Sequence, residues 1–347
     1  MLVRFATPEE IQQWDTIILR NPDGGNVLQS SELGYVKASA GWTTRFVVTD
    51  LCAITIHERS ILGLGNLWYI PKGPGVTTAA QIETLVPSLR QFANKNNVFL
   101  IKIEPEIIST AHDLTILSNL GLVQSAAIQL NASTVILDIS KKPDVIMSDL
   151  PQKARHAIKR AQRDGVRTRL VESTDENFNI MLDLMAATMT GKSSNMRESA
   201  YYKKFWQLFT DNTLGALFFA YENDTPIAGA FVLRFGTKAT YKDGGSIQRK
   251  TIYGSSHALQ WQIIEWLSAH NVTSYDLCGT PPLAEINNKS HRYYGIGLFK
   301  TSFNKTVIDY VGVYDIIVRP TKYKIWKSVV ERVTKRFYST ILDTYFY

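Results

Sequence analysis

The densest group of charged side chains that could bind a substrate lies between Gln152 and Arg169. This stretch contains seven Lys or Arg residues and one acid, Asp164. If it is helical, Arg155, Lys159 and Arg163 are spaced i, i+4, i+8 and share one face. Such a row of cations can follow the phosphates of RNA. The same pattern is typical of an ordinary solvated helix face, and both interpretations stay open on these residues alone.

A second candidate is Gly254–His257, at the start of an amphipathic segment. A helix N-terminus presents free N–H groups and can bind a phosphate or a carboxylate. Ser255 or Ser256 is more commonly a plain N-cap. A coenzyme A site would show Gln/Arg-x-x-Gly-x-Gly/Ala here, but Arg249 is followed at +3 by Ile252. This departure argues against an ordinary acetyltransferase.

The remaining candidates are single cations and aromatic residues scattered along the chain. Taken singly, each is more often a surface residue than a site residue. They are Lys37, the i, i+4 pair Arg197 and Tyr201, Tyr241 and Lys300. A nucleophile elbow and metal-ligand spacing are both missing, so the sequence predicts neither a metal nor a cofactor. Cys52 and Cys278 each sit in an apolar run and are expected to be buried, reduced thiols.

The composition is that of a globular protein with more than one core. The length of 347 residues is more than one hydrophobic core usually covers, which predicts two domains. The shares of hydrophobic (45 %) and charged (20 %) residues are those of an ordinary globular protein. The net charge of +7 favours polyanionic partners: nucleic acid, nucleotide sugars or an anionic membrane surface. The first residues lack the apolar region of a signal peptide, and no run reaches the roughly 20 apolar residues of a spanning helix. We expect a cytoplasmic monomer with peripheral membrane contact as a further option.

Helix and strand patterns occur in the same order in the two halves. In the first half, the predicted strands are Thr44–Thr49, Ala53–His57, Asn66–Ile70, Val98–Ile103 and Thr134–Ile139, and the helices Thr78–Asn94 and Ser109–Leu120. In the second half, the strands are Leu214–Tyr221, Ile227–Phe235, Ala239–Lys242, Ser274–Leu277 and Thr306–Val318, with a break at Gly244–Ser246 and a helix over Ser255–Ala269. This order predicts an α/β fold of two tandem acetyltransferase-like domains.

The predicted domain limits are 1–148 plus 319–347 for the first domain and 149–318 for the second. Helices are predicted over Asp149–Asp164, Asn177–Met189 and Glu198–Asp211. The basic, aromatic segment Thr321–Tyr345 is also predicted to be helical. It either packs on the first domain with a solvated basic face or lies on a membrane.

Several segments, taken in order, resemble the Fem-type peptidoglycan branching transferases, the FemABX family. In the first half they are Tyr35–Trp42, Ile70–Gly75, Ile101–Pro105 and Ser133–Ile139. In the second half they are Lys153–Val166, Tyr241–Ser246, Tyr275–Gly279 and Gly297–Phe303. The resemblance runs from about residue 30 to residue 318; each motif is loose, and their order is specific.

The resemblance implies an aminoacyltransferase with two acetyltransferase-like domains. Members transfer an amino acid from aminoacyl-tRNA to an amino group on the stem peptide of a UDP-linked or lipid-linked muramyl pentapeptide. Some carry a long helical arm in the second domain. No long heptad segment occurs here, so the chain looks like the compact members, which are similar to enzymes that use the UDP-linked pentapeptide.

By position, the resemblance assigns roles to individual residues. Lys37 and Arg197 look like the residues that bind the acceptor's diphosphate, and Tyr201 and Tyr241 like acceptor-pocket residues. Lys300 looks like the lysine that contacts the terminal phosphates of tRNA or the developing oxyanion. The row Arg155, Lys159 and Arg163 would then bind tRNA. An aminoacyl ester is already activated, so we expect proton loss assisted by the substrate, with Asp276 as a helper.

Two other functions remain open at this point. The first is an acyl-CoA-dependent N-acyltransferase on the same fold, which the missing coenzyme A pattern disfavours. The second is a non-catalytic tRNA-binding protein that uses the basic helix and would bind charged and uncharged tRNA equally. The sequence names neither the amino acid transferred nor the kind of acceptor.

Overall fold

The computed structural model describes residues 1–129, 132–189, 196–247, 253–340 and 345–347. The chain divides into two compact units. The first unit comprises Met1–Ala132 and Asp309–Tyr347, and the second comprises Ser133–Ile308. Each unit is described by itself below.

The strands and helices are numbered in chain order. The strands are β1 (Val3–Phe5), β2 (Thr43–Thr49), β3 (Ala53–Ile61), β4 (Gly65–Ile70), β5 (Val98–Ile103), β6 (Val123–Ser125), β7 (Ser133–Thr134), β8 (Ile136–Asp138), β9 (Arg167–Val171), β10 (Gly215–Glu222), β11 (Thr225–Phe235), β12 (Lys238–Ser246), β13 (Ser274–Asp276), β14 (Ile308–Asp309) and β15 (Val313–Ile317). The α-helices are α1 (Pro8–Gln12), α2 (Trp14–Ile18), α3 (Ser31–Ser39), α4 (Ala79–Lys95), α5 (Ala111–Asn119), α6 (Pro143–Asp149), α7 (Gln152–Arg163), α8 (Asp175–Met189), α9 (Ser199–Asp211), α10 (Ser255–Ala269), α11 (Tyr294–Lys300), α12 (Pro320–Ile325) and α13 (Glu331–Thr340). Short 3₁₀ turns cover Val27–Gln29 and Leu283–Glu285, and a π turn, Trp326–Val330, joins α12 to α13.

The first unit is built on a seven-stranded mixed sheet in the order β1-β2-β3-β4-β5-β15-β6. Strand β5, with the sequence Val-Phe-Leu-Ile-Lys-Ile, is buried along its whole length and runs parallel to β4. Helix α4 packs Ile82, Leu85 and Leu89 against this sheet in one hydrophobic core. Its N-terminus is fixed by a capping box between Thr78 and Gln81.

The second unit repeats the plan with a six-stranded sheet in the order β8-β13-β12-β11-β10-β9. Strands β12 and β13 are parallel, and the other neighbours are antiparallel. Helices α7 and α10 join the core of this sheet, which includes Ile158, Leu259 and Ile263. The predicted α/β fold with two similarly built halves is confirmed.

The helix α7 can pack closely because its buried face is made of small side chains. Ala154, Ala157 and Ala161 are fully buried. Gly254 precedes α10 with a φ of +88°, and a Cβ there would lie 2.3 Å from the carbonyl oxygen of Ala157. Glycine is therefore required at this position both for its backbone angle and for the approach of the two helices.

The break predicted at Gly244–Ser246 is wrong, because β12 continues through these residues to Ser246. Gly244 pairs with Ala230 and Gly245 with Gly229 in the antiparallel ladder. A Cβ on Gly245 would lie 2.3 Å from the backbone carbonyl carbon of Leu184 in α8. These glycines allow close packing inside the sheet and do not mark a turn.

Two other predicted segments are divided in the structure. The basic segment Asp149–Asp164 begins a helix only at Gln152, because Leu150 and Pro151 are extended between α6 and α7. The strand predicted over Thr306–Val318 is limited to β14 and β15.

The two compact units have limits that differ from those expected for the domains. Strand β8 pairs with β13, for example Leu137 with Tyr275, so the chain belongs to the second unit well before residue 148. Strand β15 pairs with β5, for example Tyr314 with Ile103, so the first unit resumes well before residue 319.

The C-terminal segment packs on the first unit, as one of the two sequence interpretations requires. Tyr323, Trp326, Phe346 and Tyr347 share a core with residues of the first sheet. The guanidinium of Arg59 lies in this cluster, 4.3 Å from the ring centre of Trp42. The predicted helix over Thr321–Tyr345 is confirmed for α12, the π turn and α13; residues 341–344 lie outside the described residues.

Candidate active site

The turn that follows β13 forms the centre of the candidate site in the second unit. Asp276, the last residue of β13, accepts hydrogen bonds from the Cys278 backbone N–H at 2.6 Å and from the hydroxyl of Thr134. Cys278 has a φ of +60°, which is uncommon for a residue with a side chain. Asp276 thus fixes a tight turn that presents the carbonyl oxygens of residues 278 and 279.

Lys300 is bound to this turn. It is the last residue of α11 and is only 7 % exposed, and its ammonium donates to the carbonyl oxygens of Cys278 and Gly279 at 2.9 Å each. Burial lowers its pKa, while nearby Cys278 and Asp276 act in the opposite direction. Helix α11 can approach because Gly297 has no side chain: a Cβ there would lie 2.8 Å from Pro281. The result is a buried cation held by neutral carbonyl groups.

Tyr241 lies beside Lys300. Its ring centre is 5.9 Å from the Lys300 ammonium nitrogen. The Tyr241 ring lies over Gly244 of the same strand, β12. It can do so because residue 244 is glycine: a Cβ there would lie 1.7 Å from the Tyr241 hydroxyl oxygen. Burial, with a smaller contribution from the charge of Asp243, raises the pKa of Tyr241 above its ordinary value of about 10. Tyr241 is therefore a neutral hydrogen-bonding group at physiological pH.

Gln260 of α10 connects Tyr241 with a second buried tyrosine. It accepts a hydrogen bond from the Tyr275 hydroxyl at 2.7 Å, and its side chain also interacts with Tyr241. Gln260 is 1 % exposed, and no feature of the sequence singled it out. The structure therefore brings together Lys300, Asp276 and Tyr241, all three predicted, and adds Gln260.

Arg197 and Tyr201 form a neighbouring cluster at the start of α9. The guanidinium of Arg197 lies 4.6 Å from the Tyr201 ring centre, and Tyr201 stacks on Phe205. The cluster is joined to β12 through Asp243, which accepts a hydrogen bond from the Trp206 indole at 2.9 Å. The i, i+4 pairing predicted for Arg197 and Tyr201 is present.

The strand β12 links the two clusters through an irregularity. Phe231 pairs with Asp243, but the next residue, Val232, pairs with Tyr241, so Lys242 is an extra residue in β12. Such a bulge changes the direction of the side chains on either side of it. Tyr241 thus turns to the sheet core, and Asp243 reaches the aromatic cluster of α9.

Lys37 belongs to the first unit, in α3. Its ammonium lies 5.6 Å from the Tyr69 ring centre. The Tyr69 hydroxyl donates to Glu104, and Glu104 also accepts from the backbone N–H of Gln129 at 3.0 Å. Glu104 and Gln129 line a cleft of about 270 Å³, including its open mouth, together with Lys72, Pro105, Ala127, Ala132, Tyr310, Gly312 and Val313.

No role was predicted for Lys72, Glu104 or Gln129, although these polar residues line the cleft. A signal was present in the sequence: Glu104 is charged and directly follows the apolar run of β5. Lys72, only 6 % exposed, pairs with Glu106 at 3.2 Å. A charged side chain that is buried at a strand end is a reason to suspect a site.

The row of cations on α7 is only partly available to a ligand. Arg155 donates to the carbonyl oxygens of Ser148 and Leu150, both at 2.7 Å, and so fastens α7 to the end of α6. Lys159 and Arg163 are exposed. Arg160, which the spacing argument did not select, lies 5.3 Å from the ring centre of Tyr253. The exposed cations of α7 are therefore Lys153, Lys159, Arg160 and Arg163.

The start of α10 differs from the expected arrangement. Gly254 is the N-cap and no side chain caps the helix, so neither Ser255 nor Ser256 is the N-cap. His257 is turned inward against Phe303, and its Nε2 lies 3.0 Å from the Ser302 hydroxyl. The Arg249 and Ile252 positions of the coenzyme A pattern lie outside the described residues.

Several further features bear on the chemistry. In the described part of the chain, no group of three or more His, Cys, Asp or Glu side chains could hold a metal ion. Cys52 and Cys278 are free thiols; Cys52 is buried as predicted, but Cys278 is half-buried because its turn lies at the site. Among the residues described, no helix has the length and apolar character needed to cross a membrane.

The two similarly built sheets and this site define a tandem acetyltransferase-like protein. The solved structure named FemX shares the fold, with a TM-score of 0.77, 17 % identity and coverage of 94 % of this chain and 99 % of that one. The FemAB family matches residues 7–130, 120–220 and 212–330. The chain belongs to the FemAB family.

Two relatives with assigned activities match nearly the whole chain. The UDP-N-acetylmuramoylpentapeptide-lysine N(6)-alanyltransferase of Weissella viridescens is 26 % identical, covering 93 % of this chain and 98 % of that protein. The lipid II:glycine glycyltransferase of Staphylococcus epidermidis is 20 % identical, covering 93 % and 95 %. Both relatives are named as aminoacyltransferases.

Proposed function

We propose that this chain is a peptidoglycan aminoacyltransferase that takes an amino acid from aminoacyl-tRNA and attaches it to the stem-peptide amino group of a UDP-linked muramyl pentapeptide. The observation that carries the proposal is the buried Lys300, held by two carbonyl groups beside Tyr241, in a chain that matches the FemAB family throughout. The reaction and both substrates are in the cytoplasm, where we place the protein.

The choice of a soluble acceptor rests on the length of the chain. The alignment with the alanyltransferase spans 347 positions, but the alignment with the lipid II glycyltransferase spans 409, which exceeds the 347 residues of this chain. The glycyltransferase therefore contains segments that have no counterpart here. The alanyltransferase, whose name specifies a UDP-linked pentapeptide, has matching length.

The proposed reaction is aminolysis of an ester. The acceptor amine forms a bond to the aminoacyl carbonyl carbon, the bond from that carbon to the ribose oxygen of tRNA breaks, and the amine loses a proton to the departing oxygen. Alignment of the two substrates supplies much of the acceleration. Lys300 stabilises the negative oxygen of the tetrahedral intermediate, since a buried cation interacts more strongly than a solvated one.

The neighbouring residues position this cation. Asp276 holds the turn of Cys278, so we assign it a positioning role in place of the expected help with proton loss. Tyr241, neutral because of its raised pKa, offers a hydroxyl to the acceptor or the ester. Lys37 and Arg197 are proposed to bind the diphosphate, where a guanidinium can form paired hydrogen bonds.

The test is mass spectrometry of the UDP-linked pentapeptide after incubation with the protein, a tRNA mixture, amino acids and their synthetases. A mass gain of one amino-acid residue, lost when tRNA is omitted, is expected and names the amino acid. A gain with acetyl-CoA alone would replace the proposal with the acyl-CoA-dependent function. Binding of charged and uncharged tRNA with no gain on either soluble or lipid-linked precursor would leave only the tRNA-binding function.

A further inference from the structure

The C-terminal helical segment, residues 320–340, has one face in the core and a second, exposed face that is also apolar. Tyr323 and Trp326 are buried in the first unit. On the outside, four large apolar side chains follow one another at intervals of four residues. They are Ile325, Val329, Val333 and Phe337, with exposed fractions of 48 %, 52 %, 57 % and 48 %. We call these four residues the outer stripe.

The π turn keeps the outer stripe straight. In an α-helix, residues at i, i+4, i+8 drift gradually around the axis because a turn holds 3.6 residues. Trp326–Val330 is a π turn, whose i→i+5 hydrogen bonds wind the chain less per residue. This offsets the drift between Ile325 and Val333. The local geometry therefore aligns exposed apolar side chains that a regular helix would spread apart.

Cations flank the outer stripe. The segment 320–340 contains six Lys or Arg residues and one acid, Glu331. Glu331 is turned inward, 8 % exposed, and is paired with Lys327 and Lys335. No carboxylate among the described residues lies within ion-pair distance of the exposed Lys324, Arg332 or Arg336. Each of these three cations directly precedes a residue of the outer stripe, so the outer surface is apolar along the stripe and positive along one edge of it.

We propose that the outer stripe docks the protein on the surface of an anionic lipid bilayer. An interfacial helix combines an apolar face, which enters the headgroup boundary, with Lys and Arg that contact anionic headgroups. RNA would pair with the cations but would leave the four apolar side chains without a partner. A symmetric second copy would add a second set of the same cations to the contact. The inference adds a location to the proposed function and does not depend on which acceptor is used.

The test is co-sedimentation of the full chain with vesicles. Vesicles of equal parts phosphatidylglycerol and phosphatidylcholine are expected to bind the protein at low salt, and vesicles of phosphatidylcholine alone are expected to bind it roughly tenfold or more weakly. About 0.5 M salt is expected to weaken the binding similarly, because it screens the cations. Val333→Ser with Phe337→Ser, and separately Arg332→Gln with Arg336→Gln, should each reduce binding about tenfold or more.

Matched controls distinguish binding through the outer stripe from nonspecific hydrophobic or electrostatic binding to vesicles. Leu62→Ser removes a fully exposed apolar side chain from a loop of the first unit. Lys289→Gln with Lys305→Gln makes the same change of net charge elsewhere on the exposed surface. Both controls should bind vesicles as the natural chain does, and all variants should keep its melting temperature. Equal binding by natural chain and stripe variants would overturn the proposal, as would stripe variants that change only self-association or tRNA binding.

Discussion

The ammonium nitrogen of Lys300 lies 5.9 Å from the centre of the Tyr241 ring, and no carboxylate among the described residues forms an ion pair with it. The lysine is instead held by the carbonyl oxygens of Cys278 and Gly279. A carboxylate would have neutralised the cation in the ground state. Carbonyl groups orient it while leaving most of its charge for an oxyanion, which is the requirement for a transition-state stabiliser.

Replacement of Lys300 by methionine should lower kcat by about 10²- to 10³-fold, the range observed when one oxyanion-stabilising donor is removed. Methionine keeps the length of the side chain and removes the charge. The measurement is the rate of amino-acid transfer at saturating concentrations of both substrates. Lys305→Met, at an exposed position five residues later, is the control. Full turnover by Lys300→Met would remove this residue from the mechanism.

Tyr241→Phe should lower kcat roughly tenfold, by loss of one hydrogen bond. The pKa of Tyr241 is raised above its ordinary value of about 10, so the hydroxyl keeps its proton between pH 7 and about pH 9. The ratio of the natural to the variant rate should therefore stay constant over that range. A pH–rate profile measures it. A ratio that fell as the pH rose through 8 would show that Tyr241 ionises and acts as a base.

Lys37→Met and Arg197→Met should each raise the KM for the UDP-linked precursor about ten- to a hundredfold, because each removes a charge-assisted phosphate contact. The KM for aminoacyl-tRNA should not change. Arg197→Lys should recover only part of the loss, since an ammonium cannot make the paired hydrogen bonds of a guanidinium. Steady-state kinetics with each substrate varied in turn measures the KM for the precursor and the KM for aminoacyl-tRNA separately. Equal increases in both KM values would contradict the diphosphate assignment.

The three cations of α7 that the sequence placed on one face should behave differently. Arg155→Gln should lower the stability of the second unit by about 1–3 kcal/mol, because it leaves the carbonyl oxygens of Ser148 and Leu150 without their donor. Thermal melting measures this change, and the affinity for tRNA should stay nearly the same.

Lys159→Gln with Arg163→Gln should have the opposite profile. Both side chains are exposed, so the melting temperature should be unchanged. Affinity for tRNA should fall, and the slope of log affinity against log salt should decrease by about one to two as two phosphate contacts are lost. An unchanged slope would show that Lys159 and Arg163 do not contact the RNA.

Local sequence patterns were sufficient for most of the strands and helices. The run Val98–Ile103 is apolar except for Lys102, is bounded by Asn97 and Glu104, and is a buried strand with these limits. The helix Ser255–Ala269 was predicted with its observed limits, because its apolar periodicity is bounded by Gly254 and His270. In both cases the signal is contained within one segment.

Features decided by contacts distant in sequence could not be predicted from local patterns. Gly244 and Gly245 have the composition of a turn, but the approach of Tyr241 and Leu184 makes them part of a strand. Arg155 has the spacing of a phosphate ligand, but the end of the preceding helix supplies carbonyl groups that occupy it. Lys300 could be selected by resemblance alone; its burial depends on the turn at Cys278.

The last prediction concerns His257, which is half-buried beside Ser302 and Phe303. Burial, with a smaller contribution from Lys153, lowers its pKa from 6.5 to about 4. The unfolded chain therefore binds a proton between pH 6.5 and pH 4 that the folded chain does not. Stability is fully present above pH 6.5 and is lost progressively as the pH falls towards 4, by up to roughly 3 kcal/mol at this one group.

His257→Gln should remove this part of the acid sensitivity, because glutamine can still bond the Ser302 hydroxyl but does not titrate in this range. Melting temperatures from pH 7 to about pH 4.5 measure the effect. The variant should be similar to or less stable than the natural chain at pH 7, and its relative stability should improve steadily as the pH falls. His270→Gln, at an exposed residue at the end of the same helix, is the matched control and should follow the natural chain. Parallel curves for the natural chain and His257→Gln would show that this histidine is protonated as readily in the folded protein as in the unfolded chain, and that its burial does not contribute to the acid sensitivity.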